Sequence, residues 1–337
     1  MSDLSPIIAA AIAFIVTAAL GIPALPLLKR LKFGQTILED GPKWHNSKQG
    51  TPTMGGVIMV IGVLLSFAVT YAISAIIGSK FANERAVYHF AVTLAGLSLA
   101  FAMGLIGFLD DYIKVVKKRN LGLTARQKTL FQLMATAAYL VTLYLVGVRT
   151  TWIPFIGDIG VTSGAGLLFW VVALFFIYGF VNAVNLTDGI DGLASSVTLV
   201  VCCIYMLITG IVGLYSANTL SAAFAGACVG FLVWNIHPAK MFMGDTGSLF
   251  LGGAVVGLSF CTGRPILLLL LGIVYLIEAL SVVIQVTYFK KTKKRIFKMT
   301  PIHHHFEMCG WKEEKIVFVF SAVTLLAGII VVLVTVL

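Results

Sequence analysis

The chain has 337 residues, of which 59% are hydrophobic and 11% are charged, and its mean hydropathy is +1.00. A soluble globular chain carries about 25% charged residues. This composition therefore excludes an ordinary water-soluble domain and indicates an integral membrane protein. The length would suit two soluble domains, but the sequence has no long polar segment from which a second could fold. We predict one integral membrane domain over residues 1–337.

Ten segments are long and apolar enough to cross a bilayer, which takes about 20 residues in a helix. The first lacks a basic leader and a cleavage site, so we expect it to be retained as a span. The sequence thus predicts an all-α polytopic membrane protein with ten transmembrane helices and both termini on the same side. The predicted spans are 5–28, 55–78, 88–109, 128–148, 165–183, 194–214, 218–234, 248–262, 265–289 and 316–337.

Basic residues orient these spans. The net charge is +10, and all but four of the 24 Lys and Arg residues lie after odd-numbered spans. Because cytoplasmic loops carry the excess of Lys and Arg, these loops are predicted to be cytoplasmic and both termini extracytoplasmic. The asymmetry accounts for the net charge without nucleic acid, and it should attract anionic lipid headgroups. On the other side, residues 149–164 favour a short hairpin against the membrane surface.

Acids are scarce, and five of the 14 fall at the predicted cytoplasmic ends of spans: Asp110, Asp111, Asp188, Asp191 and Asp245. Acids near a membrane are costly, so their concentration at one interface indicates function. The first group is DDYIK at 110–114, where helical spacing brings Lys114 beside either aspartate. Adjacent carboxylates need a cation, so this group predicts an acid/base or metal site. An interfacial salt bridge that caps the span is the alternative.

Two further groups combine acids with glycines. NLTDGIDG at 185–192 would place Asn185, Asp188 and Asp191 on one face if it were helical, and its glycines would let a ligand approach the backbone. A polar turn is the alternative. FMGDTGS at 242–248 follows WNIHP at 234–238 and offers free N–H groups to phosphate at a helix start. Asp245 could hold Mg²⁺, which takes oxygen ligands; a capping turn is the alternative.

Three polar features remain. PIHHHFE at 301–307 lies in the most basic loop; its adjacent histidines diverge, so phosphate or sugar-hydroxyl binding is favoured over a zinc site. KWHNSKQGTPTMGG at 43–56 supplies cations, hydroxyls and a flexible backbone, or is simply a solvated loop. Glu278 lies inside the ninth span, seven residues before Gln285 and on the same helix face. It predicts either a hydrogen-bonded packing role or a role near a lipid groove.

The joint placement of these groups favours an enzyme. No G-x-x-x-x-G-K-[ST] sequence is present, so an ATP-driven function lacks its P-loop. A transporter would also have many spans, but transporters bind their substrates near the bilayer midplane, whereas the polar groups here gather at one interface.

On the motifs at 110–114, 185–192 and 301–307, the chain resembles the bacterial phospho-N-acetylmuramoyl-pentapeptide transferases (the MraY family). These belong to the polyprenyl-phosphate N-acetylhexosamine-1-phosphate transferases. The resemblance covers essentially the whole chain, and the histidine stretch is its most specific part. It implies a bacterial inner-membrane enzyme of ten spans, whose five cytoplasmic loops form the active site.

The resemblance also implies a reaction. UDP-N-acetylmuramoyl-pentapeptide and undecaprenyl phosphate give UMP and undecaprenyl-diphospho-N-acetylmuramoyl-pentapeptide (lipid I), with Mg²⁺, in peptidoglycan synthesis and commonly in a homodimer. A branch that uses UDP-N-acetylglucosamine is the alternative, which the histidine stretch disfavours. The implied catalytic residues are Asp110, Asp111, Lys114 and Asp245, with Asp245 on the metal. The implied substrate-binding residues are Lys48, Thr53, Lys128, Asn185, Asp188, Gly189, Asp191, Asn235, Phe242, Gln285, His303, His304 and His305. Within this set Asp110 is either the base or a covalent nucleophile.

Overall fold

The described part of the chain contains twelve α-helices, two short 3₁₀ helices and one β-hairpin. The computed structural model describes residues 4–30, 48, 50–76, 84–117 and 121–336. The helices are α1 (Ser5–Arg30), α2 (Gly56–Ile76), α3 (Glu84–Val116), α4 (Ala125–Val146), α5 (Leu168–Thr187), α6 (Leu193–Val212), α7 (Tyr215–Asn235), α8 (Gly244–Cys261), α9 (Leu268–Leu271), α10 (Ile273–Thr292), α11 (Ile302–Glu307) and α12 (Glu313–Val336). Ten of them, all but α9 and α11, are long and apolar enough to cross a membrane.

A candidate spanning helix lies at each of the ten predicted spans, and two of these helices differ clearly from the prediction. The ninth was predicted as one helix over 265–289, and this is wrong. A 3₁₀ turn (Pro265–Leu267), the four-residue α9 and a break at Gly272 precede α10. The third span is longer than predicted, since α3 continues to Val116 and carries Asp110, Asp111 and Lys114 within the helix.

The core of the bundle is built around α8, whose residues 246–261 are all buried. Its glycines explain this position, because small residues let neighbouring helix backbones approach closely. A Cβ added to Gly257 would lie 2.8 Å from the Gly96 carbonyl oxygen of α3, and one added to Gly253 would lie 2.7 Å from the Cα of Ala100. The same contact continues to Gly107, whose added Cβ would lie 2.1 Å from the Asp245 carbonyl oxygen. This seam therefore brings the end of α3 against the start of α8.

The predicted hairpin is present. Strands β1 (Thr150–Ile153) and β2 (Gly157–Gly160) pair antiparallel, with Trp152 opposite Asp158. The backbone N–H of Trp152 donates to the Gly263 carbonyl, and the Trp152 ring centroid lies 4.6 Å from the Arg264 guanidinium carbon. The hairpin is thus attached where α8 ends. Its position against a membrane surface stays a prediction.

Several helix ends meet at the opposite end of the bundle, which we call the acidic end. It comprises the last turns of α3, α5 and α7 and the first turns of α4, α6, α8 and α12, whose polar side chains contact one another as described below. Helix α5 ends at Thr187, and residues 188–191 form a turn. Gly192, with a φ of 76°, leads from this turn into α6. The condition under which Asn185, Asp188 and Asp191 would share one helix face is therefore not met, and their role in substrate binding stays a prediction.

Candidate active site

A first acidic cluster, formed by Asp110, Asp111 and Asp245, lies where α3 meets α8. One carboxylate oxygen of each residue lies within 4.8 Å of the others. Lys114 sits among them, with its Nζ 2.6 Å from Asp110 Oδ2, 3.6 Å from Asp111 Oδ1 and 2.7 Å from Asp245 Oδ2. Lys128, in the first turn of α4, approaches Asp245 Oδ2 at 3.2 Å. The four catalytic residues that the resemblance implies are thus together, with the substrate-binding candidate Lys128 beside them.

Asp111 holds the start of α8 in place. Its Oδ2 accepts hydrogen bonds from the Thr246 backbone N–H (2.9 Å) and hydroxyl (2.7 Å), and its Oδ1 accepts from the Asp245 N–H at 3.3 Å. These are N–H groups that a helix leaves without an internal partner in its first turn. The N–H groups of Asp245 and Thr246, which were predicted to be free for phosphate, therefore donate to Asp111, in line with the capping alternative for residues 242–248. Asp110 and Asp245 face the lysines.

The other two aspartates are oriented by neutral donors. Asn185 Nδ2 donates to Asp245 Oδ1 at 2.8 Å and to Ser248 Oγ at 2.7 Å, which ties the end of α5 to α8. Asp110 Oδ1 accepts from the Leu123 N–H at 2.8 Å, just before α4. Each carboxylate thus keeps its other oxygen, Oδ2, directed at Lys114.

Oxygen ligands of this kind suit Mg²⁺, which typically binds one or two carboxylates and completes its shell with water and phosphate oxygens. Asp245 fits best, because its Oδ2 meets the ammonium groups of Lys114 and Lys128 rather than a backbone donor. Asp188 stands in the turn beside the cluster. Burial, with added repulsion from Asp245, Asp111 and Asp191, raises the pKa of Asp188 well above its usual value.

A second cluster, formed by Lys48, Asp191, His237 and Glu313, joins four distant segments of the chain. Lys48 Nζ lies 2.7 Å from Asp191 Oδ1 and 2.7 Å from Glu313 Oε1. His237 Nδ1 and the Ala239 N–H reach Asp191 Oδ2 at 2.9 and 3.0 Å. Glu313 Oε2 also accepts the Asp191 N–H at 3.0 Å. The second cluster therefore anchors the turn at 188–191 to the start of α12.

Glu313 and His237 are ionisable residues at this end that the sequence reasoning did not select. Glu313 starts α12, where an acid is explained by the helix dipole alone, so its partner Lys48 could not be inferred. His237 follows α7 within the WNIHP stretch, yet nothing in the local sequence pointed to Asp191. Of the polar patch at 43–56, residues 43–47 and 49 lie outside the described residues.

Backbone pairing positions the aromatic and hydroxyl candidates. Phe242, half-buried, donates its N–H to the Pro52 carbonyl and accepts from the Gly55 N–H, both at 2.8 Å. Thr53 lies between these contacts, close to Gly244. Asn235 is 2% exposed, accepts from the Gly192 N–H at 3.1 Å and donates to the Met241 carbonyl at 3.0 Å. Its amide thus braces two loops of the site.

The histidines do not all diverge as their adjacency predicted: the ring centroids of His303 and His304 lie 4.1 Å apart, although each Nδ1 has its own partner. His303 Nδ1 lies 3.0 Å from Glu278 Oε2, and both side chains are fully buried. His304 Nδ1 pairs with Glu307 Oε2 at 2.6 Å, while His305 Nδ1 accepts the Lys298 N–H at 3.1 Å. The structure therefore does not bring the three rings around one point, and His304 and His305 are the more exposed of the three.

Gln285 ties the basic loop to α10. Its side chain is largely buried, and its Oε1 accepts from the backbone N–H groups of Ile296 and Phe297, both at 3.0 Å. Gly189 is exposed and lies against His303. The predicted substrate-binding residues thus border one end of the bundle, and their individual roles stay predictions.

The fold and the site define an integral membrane protein of ten candidate spans with a carboxylate and lysine cluster at one end. The family model described as glycosyl transferase family 4 matches residues 93–263, and signature 1 of the phospho-N-acetylmuramoyl-pentapeptide-transferases matches residues 48–60. The signature thus begins at Lys48 of the second cluster.

Curated relatives named phospho-N-acetylmuramoyl-pentapeptide-transferase match nearly the full chain. The one from Clostridioides difficile is 45% identical over 94% of this chain and 93% of its own. The one from Desulforamulus reducens is 46% identical, covering 95% of both chains, and that from Bacillus mycoides is 44% identical, covering 96% of both. The chain belongs to the phospho-N-acetylmuramoyl-pentapeptide-transferase family, which confirms the resemblance inferred from its motifs.

The Glu313→Ala variant should destabilise the acidic end, since the buried Asp191 N–H loses its acceptor and Lys48 loses one carboxylate. We expect a loss of about 1–3 kcal/mol, the cost of leaving a buried donor unpaired. Thermal unfolding of the detergent-solubilised protein measures this as a lower apparent Tm. Glu314→Ala, which removes an exposed neighbouring acid, is the matched control and should shift stability by less than about 0.5 kcal/mol. Equal Tm values for the two variants would contradict the bracing role of Glu313.

Proposed function

We propose that the chain transfers phospho-N-acetylmuramoyl-pentapeptide from its UDP carrier to undecaprenyl phosphate, giving lipid I and UMP in peptidoglycan synthesis. The observation that carries this proposal is the first acidic cluster. Asp110 and Asp245, with Lys114 and Lys128, meet at the end of a bundle of candidate spans. Phosphoryl transfer needs mostly positioning and charge stabilisation, and this arrangement supplies both beside a lipid phase. The names of the curated relatives support the same activity.

The acidic end is proposed to face the cytoplasm at the bacterial inner membrane, with both termini outside. The distribution of Lys and Arg supports this orientation. A UDP-linked substrate is made and held in the cytoplasm, whereas undecaprenyl phosphate lies in the bilayer, so a site at the membrane interface can reach both. A homodimer also stays a prediction, which the mass of the solubilised protein would test.

In the proposed reaction an oxygen of the lipid phosphate attacks the β-phosphorus of the UDP-sugar. A new P–O bond forms as the bond between that phosphorus and the oxygen bridging to UMP breaks, and UMP leaves with the bridging oxygen. Lys114 and Lys128 would place fixed cations beside the diphosphate in a partly dry site, where their charge counts for more than in water. Asn185, bonded to Asp245 Oδ1, keeps that carboxylate turned towards the lysines.

The proposed cofactor is Mg²⁺, held by Asp245 with Asp110 beside it. When bound, the ion would neutralise charge that develops on the diphosphate oxygens. The residues present fit this role, since one carboxylate oxygen from each of Asp110, Asp111 and Asp245 lies within 4.8 Å of the others. With the ion bound, the negative charge of the cluster would be neutralised by Mg²⁺ together with Lys114 and Lys128.

The activity is tested directly by UMP release. Purified protein with undecaprenyl phosphate, Mg²⁺ and UDP-N-acetylmuramoyl-pentapeptide should release UMP and form a lipid-linked product. UDP-N-acetylglucosamine at equal concentration should neither replace nor appreciably inhibit the muramoyl substrate. Release of UMP with UDP-N-acetylglucosamine alone would overturn the proposed substrate. Transport of substrate into vesicles without UMP release would instead assign the protein to transporters.

The Asp245→Ala variant should lose Mg²⁺-dependent turnover, because the proposed metal ligand is removed. We expect kcat to fall by at least about 100-fold, the scale seen when a group that stabilises transition-state charge is deleted. A Mg²⁺ titration of the residual rate measures the effect. Asp158→Ala, an exposed acid of the hairpin at the opposite end, is the control and should retain wild-type kinetics. An unchanged Mg²⁺ response in Asp245→Ala would refute the assignment.

The Asp110→Asn variant should be impaired by about 10² to 10⁴, the usual contribution of a positioned acid or base. The lipid phosphate has a second pKa near 6, so a base assists at neutral pH without being obligatory. Wild-type protein incubated with the UDP-sugar but without lipid separates the two roles proposed for Asp110. Stoichiometric UMP release would indicate a covalent phospho-aspartate, and its absence a base. Full activity of Asp110→Asn would exclude both.

A further inference from the structure

A buried acid and a buried histidine pair behind the candidate site. Glu278 and His303 are both 0% exposed, and Glu278 Oε2 lies 3.0 Å from His303 Nδ1. Among the described residues, the other polar atoms of the pair, Glu278 Oε1 and His303 Nε2, have no hydrogen-bond partner. Burying a carboxylate inside a span is costly unless it is paired. The His303 ring is therefore what allows Glu278 to lie there.

This pair lies deeper than the rest of the basic loop. Glu278 precedes Gln285 by seven residues on the same face of α10, which is about 10 Å along a helix that rises 1.5 Å per residue. Gln285 receives the backbone of Ile296 and Phe297, and Glu278 receives His303, at the start of α11. The chain after α10 therefore folds back along that helix, with two side chains of α10 as its attachment points.

The far edge of the His303 ring rests on the turn at 188–191. A Cβ added to Gly189 would lie 2.2 Å from His303 Nε2 and 2.5 Å from its Cε1. A real Cβ essentially never lies that close to another heavy atom. The ring can therefore occupy this place only because residue 189 is glycine. The contact is to the middle of the turn, between Asp188 and Asp191.

We propose that Glu278 is a positioning residue: it holds the His303 ring against Gly189 and so sets the turn that presents Asp188 and Asp191 to the substrate. Neither member of the pair has exposed surface with which to contact a substrate. His304 and His305 are partly exposed and keep the predicted substrate-facing role. Glu278 thus acts on the site through His303, and this inference rests on the proposed function.

The effect of Glu278 depends on a hydrogen-bond acceptor of the same length. Glu278→Gln keeps an oxygen for His303 Nδ1–H, whereas Glu278→Leu removes it. We expect kcat/KM for the UDP-sugar to stay within about threefold in the Gln variant and to fall at least about tenfold in the Leu variant. The KM for undecaprenyl phosphate should not change. A mere loss of folded protein would lower kcat and leave both KM values unchanged, and that result in Glu278→Leu would overturn the proposal.

Two double-mutant cycles test the path from Glu278 to the turn. If Glu278 acts through the ring, Glu278→Leu should add nothing to His303→Ala. If the ring rests on Gly189, the harmful Gly189→Ala should be relieved, or at least made no worse, when His303→Ala vacates the space. Ser281→Ala is the matched control: it removes a buried hydroxyl of α10 that bonds to the Glu278 carbonyl at 2.7 Å, and its kinetics should stay wild type. If, in either cycle, the fold-losses in kcat/KM of the two single variants multiply in the double variant, the residues act independently and the proposal is overturned.

The same proteins separate failure of this inference from failure of the proposed function. If wild-type protein releases UMP and the losses multiply, this inference alone is wrong. If wild-type protein releases no UMP, the proposed function is wrong, and the thermal unfolding cycle of Gly189→Ala with His303→Ala decides the contact. A destabilisation in the double variant no larger than in the worse single variant supports the ring-to-turn contact, and additive destabilisation overturns it.

Discussion

Three carboxylates, Asp110, Asp111 and Asp245, meet where α3 crosses the start of α8, and their mutual repulsion has to be offset for the two helices to pack. Two local solutions appear in the structure. Asp111 turns to the first N–H groups of α8, where the helix dipole favours negative charge. Lys114, one turn beyond Asp110, places its ammonium between Asp110 and Asp245. The contact that closes the fold is therefore also the site that can hold a cation and phosphates.

The close approach of α3 and α8 brings the three carboxylates together. In a bilayer, lipid tails are as apolar as leucine, so burial of large apolar side chains does not by itself draw helices together. Small residues do so by letting backbones touch, and Gly96, Gly107 and Gly257 supply them along this seam. A larger side chain at Gly107 would push away the Asp245 carbonyl and with it the carboxylate. The glycines of α3 and α8 thus explain both the central position of α8 and the close approach of the carboxylates at the site.

Much of the fold followed from the sequence because a spanning helix must be apolar for about 20 residues, and ten such runs were visible. The convergence of Asp110 and Asp245 also followed, since both stand at span ends predicted to share one side. The break at Gly272 did not, because an apolar average over 265–289 is blind to a short interruption. The turn at 188–191 was open to a helical reading because its polar residues are spaced by three, although its glycines favour a turn. Glu313 was missed because its partners, Lys48 and Asp191, lie more than a hundred residues away.

The turn at 188–191 connects the parts that local sequence could not. On one side, Asp188 is repelled by the carboxylates of Asp111 and Asp245 in the first acidic cluster. On the other, Asp191 is held by Lys48 and His237 in the second cluster. Beneath it the His303 ring fills the space that Gly189 leaves. A backbone held from three directions cannot move towards one support without straining the others. The two clusters and Glu278 therefore act on the same turn. Displacing any one of these supports would move the carboxylates of both Asp188 and Asp191.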